Sequence, residues 1–599
     1  MADYLEPRQW KLRSDSIDSA FSLDLIATLA KKTGLSPVTI RVCLSRGLNT
    51  VSAIDDFLNP KIDHLTSPTK IKDMPAAVER LAKARASGEH VRVFGDYDVD
   101  GTTGAALLSW VFREFKLTFD ATQPDRFKDG YGLNVRAVEE AKESGVQILV
   151  TVDCGITSFA AAEKARELGI DLIIVDHHQI DPEKGLPYAF AVIDPQREDC
   201  ESGLKQLCGC GLAFYLAMAL RAKGRAEGWF TGTTEPNLKQ HLDLVVMATA
   251  ADMVPLTGDN HILVRHGLEI LKYSKKPGVK ALLQVSGLGT QFSPGQLGFA
   301  IGPRINASGR MKSASIALEL LTTQDTSRAT ELAEQLNRLN IERAQMQNGV
   351  WDQVRSRVEA EIAQGNFKYG VVVADPGWHE GVVGIVASRV TETFRRPAVV
   401  IAIRDGIGKG SARSYAGKDV LAALRSAASN LLGFGGHKYA SGLSIDPKQI
   451  LKFTDDFNQA LSGLGEDAES RPLLLEGDCS LEDFDLRTLQ ELERLGPFGP
   501  GNPEAIFSFK AAVARHQILK GRHLKLNLSP LPSHARSGSS KKTVSIEAIW
   551  FHAAERGNEL LGSLLKGESE WAGVPEINRF RGQQTPTLRV RDWRKPPIA

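Results

Sequence analysis

VRVFGDYDVDGTTG, residues 91–104, carries the reading of the fold. A short β-branched and aromatic run leads straight into Asp96, Asp98 and Asp100, followed by Gly-Thr-Thr-Gly. Two further runs share this design. ILVTVDCG (148–155) ends in Asp153, and DLIIVDHH (171–178) ends in Asp176-His177-His178. Helical stretches, Val135–Ser144 and Thr157–Leu168, lie between them. Strands alternating with helices predict a parallel α/β sheet. Such sheets take ligands at the carboxyl ends of their strands, and all three polar clusters fall there.

An Asx-turn or helix cap uses one Asp of a D-x-D-x-D run. Three carboxylates in five residues repel one another unless cations neutralise them. A calcium loop needs a bidentate Glu at its twelfth position, where this chain has Leu107. Calcium is therefore excluded. The clusters together offer enough carboxylates and imidazole for two adjacent divalent ions. Oxygen-rich ligation with one His favours Mn²⁺ or Mg²⁺. Two such ions, roughly 3.5–4 Å apart, activate a water and clamp a phosphoryl group, so phosphoester hydrolysis is the chemistry expected. Asp252, at the end of HLDLVVMATAAD, reads by itself only as the last residue of a helix.

A chain of 599 residues exceeds one core and predicts about three domains. A net charge of +1 means that any polyanion site is local. Six cysteines, with Cys208–Cys210 the only close pair, predict buried free thiols and a reducing cytoplasm rather than a zinc cluster. No signal peptide and no membrane-spanning run is read, so a cytoplasmic protein without membrane contact is expected.

Residues 1–74 read as an N-terminal helical region and 75–320 as the first α/β domain. The region 321–366 is a connecting helix, and 326–363 has apolar residues at helical spacing with one Gly, Gly349. Residues 367–465 form a second α/β pattern. Residues 466–599 hold a Pro/Gly linker, PFGPGNPE, and a small β-barrel. From Ala505 to Ile546 there are eight Lys or Arg and no Asp or Glu. Lys510, Arg515, Lys520, Arg522 and Lys525 on or beside its strands suit an OB-type surface for single strands.

GDYDVDGTTG, TVDCG and VDHH resemble the successive motifs of the DHH phosphoesterases. FLNPKIDHLTSPTKIKDMPAAVERL, ADMVPLTGDN, GPRINASGRM, HEGVVGIVASR, GSARS, GGHKYASG and LGPFGPGNPEAIF extend the resemblance to the RecJ-type nucleases over nearly the whole chain. The resemblance implies a DHH domain, a long connecting helix, a DHHA1 domain and a C-terminal OB domain. It also implies 5′-to-3′ hydrolysis of single-stranded DNA by a two-metal mechanism, in recombination and repair.

Residue by residue, the resemblance makes Asp98 and Asp100 metal-binding acids and Asp96 a further family acid. Asp153 matches the bridging carboxylate and His177 the imidazole ligand, with Asp176 orienting it. Asp252 matches the fourth acid, against its reading as a bare helix end. Phe94 stands where smaller relatives carry a ligand His, leaving that position to water or Asp96. His178 would face the phosphate. Arg304, Asn306, Ser411, Arg413 and Gly435-Gly436-His437 look like substrate-binding groups, since Arg pairs bidentately with phosphate and glycine amides approach it closely. Arg126 in DRFKDGYG would help to hold a terminal 5′ phosphate, and Tyr131 would stack on a base. A single-strand binding protein, a helicase and a monomeric state are family expectations. A smaller phosphodiesterase is disfavoured by chain length, and an inactive scaffold by the intact acids.

Overall fold

The computed structural model describes residues 9–13, 22–126, 128–289, 291–464, 472–531, 545–553, 562 and 569–595. The Ser/Lys tract at 537–542 lies outside the described residues. Two compact units are formed, one from residues 66–254 and 266–469, the other from 1–65, 255–265 and 470–599.

The first unit opens with a five-stranded sheet in the order Thr118–Thr122, His90–Gly95, Ile148–Val152, Asp171–Val175 and Ala191–Ile193. Every pairing is parallel. Apart from the edge strand Thr118–Thr122, its strands are buried on both faces, which is why they read as continuous apolar runs. Helices Val135–Glu143 and Phe159–Glu167 cover one face through Val138, Ala162, Leu149 and Ile174. On the other face Val99–Glu114 is sandwiched between sheet and helix Gly209–Ala226. A Cβ on its Gly104 would run into Val152 and meet Cys210. The chain leaves His90–Gly95 for one edge of the sheet, then returns to build the other on Ile148–Val152. The switch point lies between those two strands, where α/β sheets leave a crevice. Asp96 and Asp153 follow them directly.

Thr326–Ala363 is one helix of 38 residues, capped by Asp325 through its bonds to the Ser327 and Arg328 amides. Its Val350, Trp351, Val354 and Val358 pack against helix Glu380–Phe394 of the second α/β domain. That domain's sheet runs Leu431–His437, Ala440–Ile445, Ile407–Arg413, Ala398–Arg404, Val371–Asp375. Phe453 and Phe457 of helix Ile450–Ser462 close its other face.

In the second unit, helices Leu23–Thr33, Pro37–Ser45 and Val51–Leu58 are N-capped by Ser22, Ser36 and Thr50. The sequence sets residues 1–74 apart, whereas the structure packs these helices onto the C-terminal segment. Ile40, Leu44 and Ile54 share one core with Phe484, Phe507 and Ile577. A closed barrel follows, from strands Phe507–Leu519, His523–Pro530, Ile546–Trp550, Gln583–Arg594 and Ser569–Phe580 in that order. Five cysteines are buried, Cys479 is partly so, and all six are free. Among the described residues no helix is long and apolar enough to cross a membrane.

Candidate active site

Asp98 caps helix Val99–Glu114, accepting from the Asp100 and Gly101 amides at 2.9 and 3.2 Å. Gly101 has to be glycine, because a Cβ there would collide with the Asp96 main chain. Asp100 is fixed by the amides of Gly209 and Cys210 at 2.6 and 2.8 Å. Asp96 takes the Gly132 amide at 3.2 Å on one oxygen, while its other oxygen is buried without a partner. Asp153 sits at φ 62°, a left-handed conformation that Asp tolerates better than most residues.

His177 Nε2 lies 3.1 Å from Asp153 Oδ1, 3.6 Å from Asp100 Oδ2 and 3.9 Å from Asp252 Oδ2. Bonds of about 2.0–2.2 Å to one ion place neighbouring donors about 3 Å apart, so these gaps are of ligand size. Three donor sets converge within 4.8 Å: Asp153-His177-His178, Asp100-His177-Asp252 and Asp96-Asp98-Asp153. Burial, then mutual charge, raises the pKa of Asp96 and Asp153 far above the carboxylate range. Asp100 also rises, through burial, and Asp252 is pushed up to about 8 by burial and the charges of Asp100 and Asp98. So many acids cannot all ionise in one pocket without cations, and the orphaned Asp96 oxygen points the same way. The donor set fits Mn²⁺ or Mg²⁺.

The ring that Asp176 orients differs from the expected one. Its Oδ1 lies 2.8 Å from His178 Nδ1, whereas it meets only the main-chain amide of His177, at 2.8 Å. Its other oxygen takes the Ile156 amide at 3.0 Å. Burial disfavours a charged His178, but the Asp176 bond and charge, with Asp252 and Asp100, outweigh it and raise the pKa to about 9. Tyr131 leans over the His178 ring, its hydroxyl donating to the Asp153 carbonyl at 2.9 Å.

A second feature lies between the two α/β domains. Arg126 stacks over Tyr97, Cζ 5.0 Å from the ring centre. Arg310 donates to the Gly381 carbonyl at 3.2 Å. Burial, then Arg126, Arg343 and Arg413, lowers its pKa to about 10. Arg413 bonds Ser411 Oγ at 2.7 Å and is lowered by burial and Arg126. Among the described residues no carboxylate is ion-paired with any of these four arginines. Such a cluster calls for a polyanion.

The sequence reading overlooked Arg310, Arg343 and Tyr97, although Arg310 lies within GPRINASGRM. Its own choice there, Arg304, is turned elsewhere. Arg304 donates to the Ala300 and Val285 carbonyls at 2.6 and 3.3 Å and to Asn337 at 3.1 Å. Asn306 Oδ1 is buried without a partner. Gly435, Gly436 and His437 lie on the exposed edge strand of the second sheet, and none of the contacts above includes them. Phe94 is core. Asp194, overlooked too, directly follows strand Ala191–Ile193 and is fully buried, with one oxygen unpartnered. Burial, then Asp176, moves its pKa to about 7.

Residues 90–249 match the DHH family N-terminal domain, 366–463 the DHHA1 domain and 475–592 the RecJ OB domain. The chain is 36% identical over 578 residues to the single-stranded-DNA-specific exonuclease RecJ of Haemophilus influenzae, covering 94% of this chain and 96% of that relative. The chain belongs to the RecJ family. RecJ of Escherichia coli is likewise 36% identical over 563 residues, covering 92% of this chain and 94% of its own. Among solved structures, Thermus thermophilus RecJ in complex with Mn²⁺ gives a TM-score of 0.80 at 28% identity. The match covers 100% of this chain and 81% of that RecJ, which has also been solved with Mg²⁺.

Proposed function

We propose that this RecJ-family chain is a single-strand-specific DNA exonuclease that removes mononucleotides from the 5′ end, with Mn²⁺ or Mg²⁺ as cofactor. The observation that carries this reading is the pairing, within one unit, of a carboxylate rim with an arginine cluster that no described carboxylate ion-pairs. Asp98, Asp100, Asp153, His177 and Asp252 would hold two ions, with Asp96 as a further acid. Bound there, the metal supplies an activated water and charge for the phosphoryl oxygens.

The protein's own groups do the rest. Arg126, Arg310, Arg413 and Ser411 hold the terminal phosphate and so place the next phosphodiester at the rim. His178, kept protonated by Asp176, donates to a phosphoryl oxygen or hands its proton to the departing 3′ oxygen. The water oxygen bonds to phosphorus, the P–O3′ bond breaks, and the new 5′ phosphate stays on the shortened strand. The crevice between the α/β domains would exclude duplex, while the barrel adds backbone contacts. In the cell it would act as a monomer alongside a single-strand binding protein and a helicase, in the cytoplasm.

A digestion time course on 5′- and 3′-labelled single strands, with duplex controls, tests this. The 5′ label should leave first as a mononucleotide, only with Mn²⁺ or Mg²⁺. Early release of the 3′ label, or equal attack on duplex, would refute the assignment.

A further inference from the structure

We infer that Tyr131 is a positioning residue that holds the catalytic His178 in place and links it to the arginine pocket, rather than serving only as a platform for a base. The inference rests on the proposed role of His178. The Tyr131 hydroxyl donates to the Asp153 carbonyl at 2.9 Å and lies 3.2–3.3 Å from the ring nitrogens of His178. Lying almost equally far from the two nitrogens, the oxygen braces the ring between them, while Nδ1 stays on Asp176 and the Nε2 proton is left for the substrate. The hydroxyl therefore ties two site elements together: the left-handed main chain at Asp153 and the His178 ring.

The phenol is itself firmly placed. Gly130 and Gly132 on either side both have φ 78°, a conformation that side chains rarely adopt. The Gly132 amide is anchored on Asp96 at 3.2 Å. Below, Asp129 takes the Asp125 amide at 2.8 Å and Arg136 at 2.6 Å. The rings run in series. Arg126 lies over Tyr97, Tyr97 meets Tyr131 edge-on with centres 6.3 Å apart, and Tyr131 meets His178 edge-on at 5.7 Å. A phosphate that draws Arg126 into the pocket thereby presses on the stack that sets the His178 ring.

Tyr131→Phe keeps the ring and removes the hydroxyl. A base platform would be indifferent to that change, whereas a positioning group acting through His178 would not. Steady-state digestion by the full-length, Mn²⁺-loaded chain should show kcat down about tenfold with KM little changed. The loss should be greater on 5′-phosphorylated than on 5′-hydroxyl strands. In a His178→Gln background the same change should have no further effect, because contacting residues acting as one unit are not additive. Equal melting temperatures would show that the fold is kept. Full activity of Tyr131→Phe, with His178→Gln impaired but measurable, would overturn the inference alone. Full activity of His178→Gln would instead overturn the role of His178.

Discussion

Asp176 and His178 form a closed pair, Oδ1 to Nδ1 at 2.8 Å, while the neighbouring His177 turns its ring to Asp153. Adjacent histidines thus face different partners, one turned to the carboxylate rim and the other held by Asp176. Asp176→Asn retains the shape but loses the charge. The His178 pKa should then fall from about 9 towards the ordinary value of roughly 6.5. Histidine NMR titration should show that fall, with kcat at pH 7.5 reduced on the order of 10²-fold. An unchanged titration would sink the pairing as the cause.

Asp153→Asn should abolish Mn²⁺-dependent digestion while leaving the fold intact, since Asn also tolerates the left-handed conformation. Asp98→Ala should be equally inactive. Without metal, Asp153→Asn should melt no lower than the parent, because one of the mutually repelling acids is gone. Retained nuclease activity in either variant would defeat the site assignment.

The folded pKa of Asp252, about 8, lies above the unfolded value of roughly 3.9, so the folded chain binds this proton more tightly. That contribution to stability is complete below about pH 4 and is lost as pH rises through about 8. The metal-free melting temperature should therefore fall between pH 6 and 8, and Asp252→Asn should flatten that fall. Saturating Mn²⁺ should remove most of it, by binding only the folded state. A slope unaltered by the substitution would rule Asp252 out as its source.

Arg310 and Arg304 should separate cleanly. Arg310→Ala should raise KM for 5′-phosphorylated strands at least tenfold and leave the melting temperature nearly unchanged. Arg304→Ala, which leaves the Ala300 and Val285 carbonyls without their donor, should cost about 1–3 kcal/mol of stability with little change in KM. The reverse pattern would exchange their roles.

Removing residues 500–599 would test the barrel poorly, because Phe507 and Ile577 belong to the core of the N-terminal helices. Arg515→Ala combined with Lys520→Ala leaves that core alone. It should raise KM in a salt-dependent way and spare kcat at saturating strand. An equal loss of kcat would place these side chains in the chemistry instead.

The parallel sheet and its rim were legible because each strand announces itself by β-branched residues running into acids. The 38-residue helix was legible from periodicity alone. Asp252 was harder, since it does end helix Leu242–Ala251 as its C-cap, and local pattern cannot say what a helix end faces. Arg304 and Arg310 look alike in sequence, yet six residues along a helix place them about 120° apart. The basic stretch of the barrel misled in part. Lys525 is paired with Glu547 at 2.7 Å and Lys510 lies 3.9 Å from Glu570, acids brought from later strands. Likewise nothing local foretold that Trp10–Leu12 pairs with Leu473–Leu475.

Every step leans on cations resting among the carboxylates at the sheet's switch point. Crystals soaked in Mn²⁺ and measured for anomalous scattering would locate them. Two peaks roughly 3.5–4 Å apart, bounded by Asp98, Asp100, Asp153, His177 and Asp252, are expected. A rim with no ordered manganese, or these side chains turned away from one another, would contradict the mechanism outright.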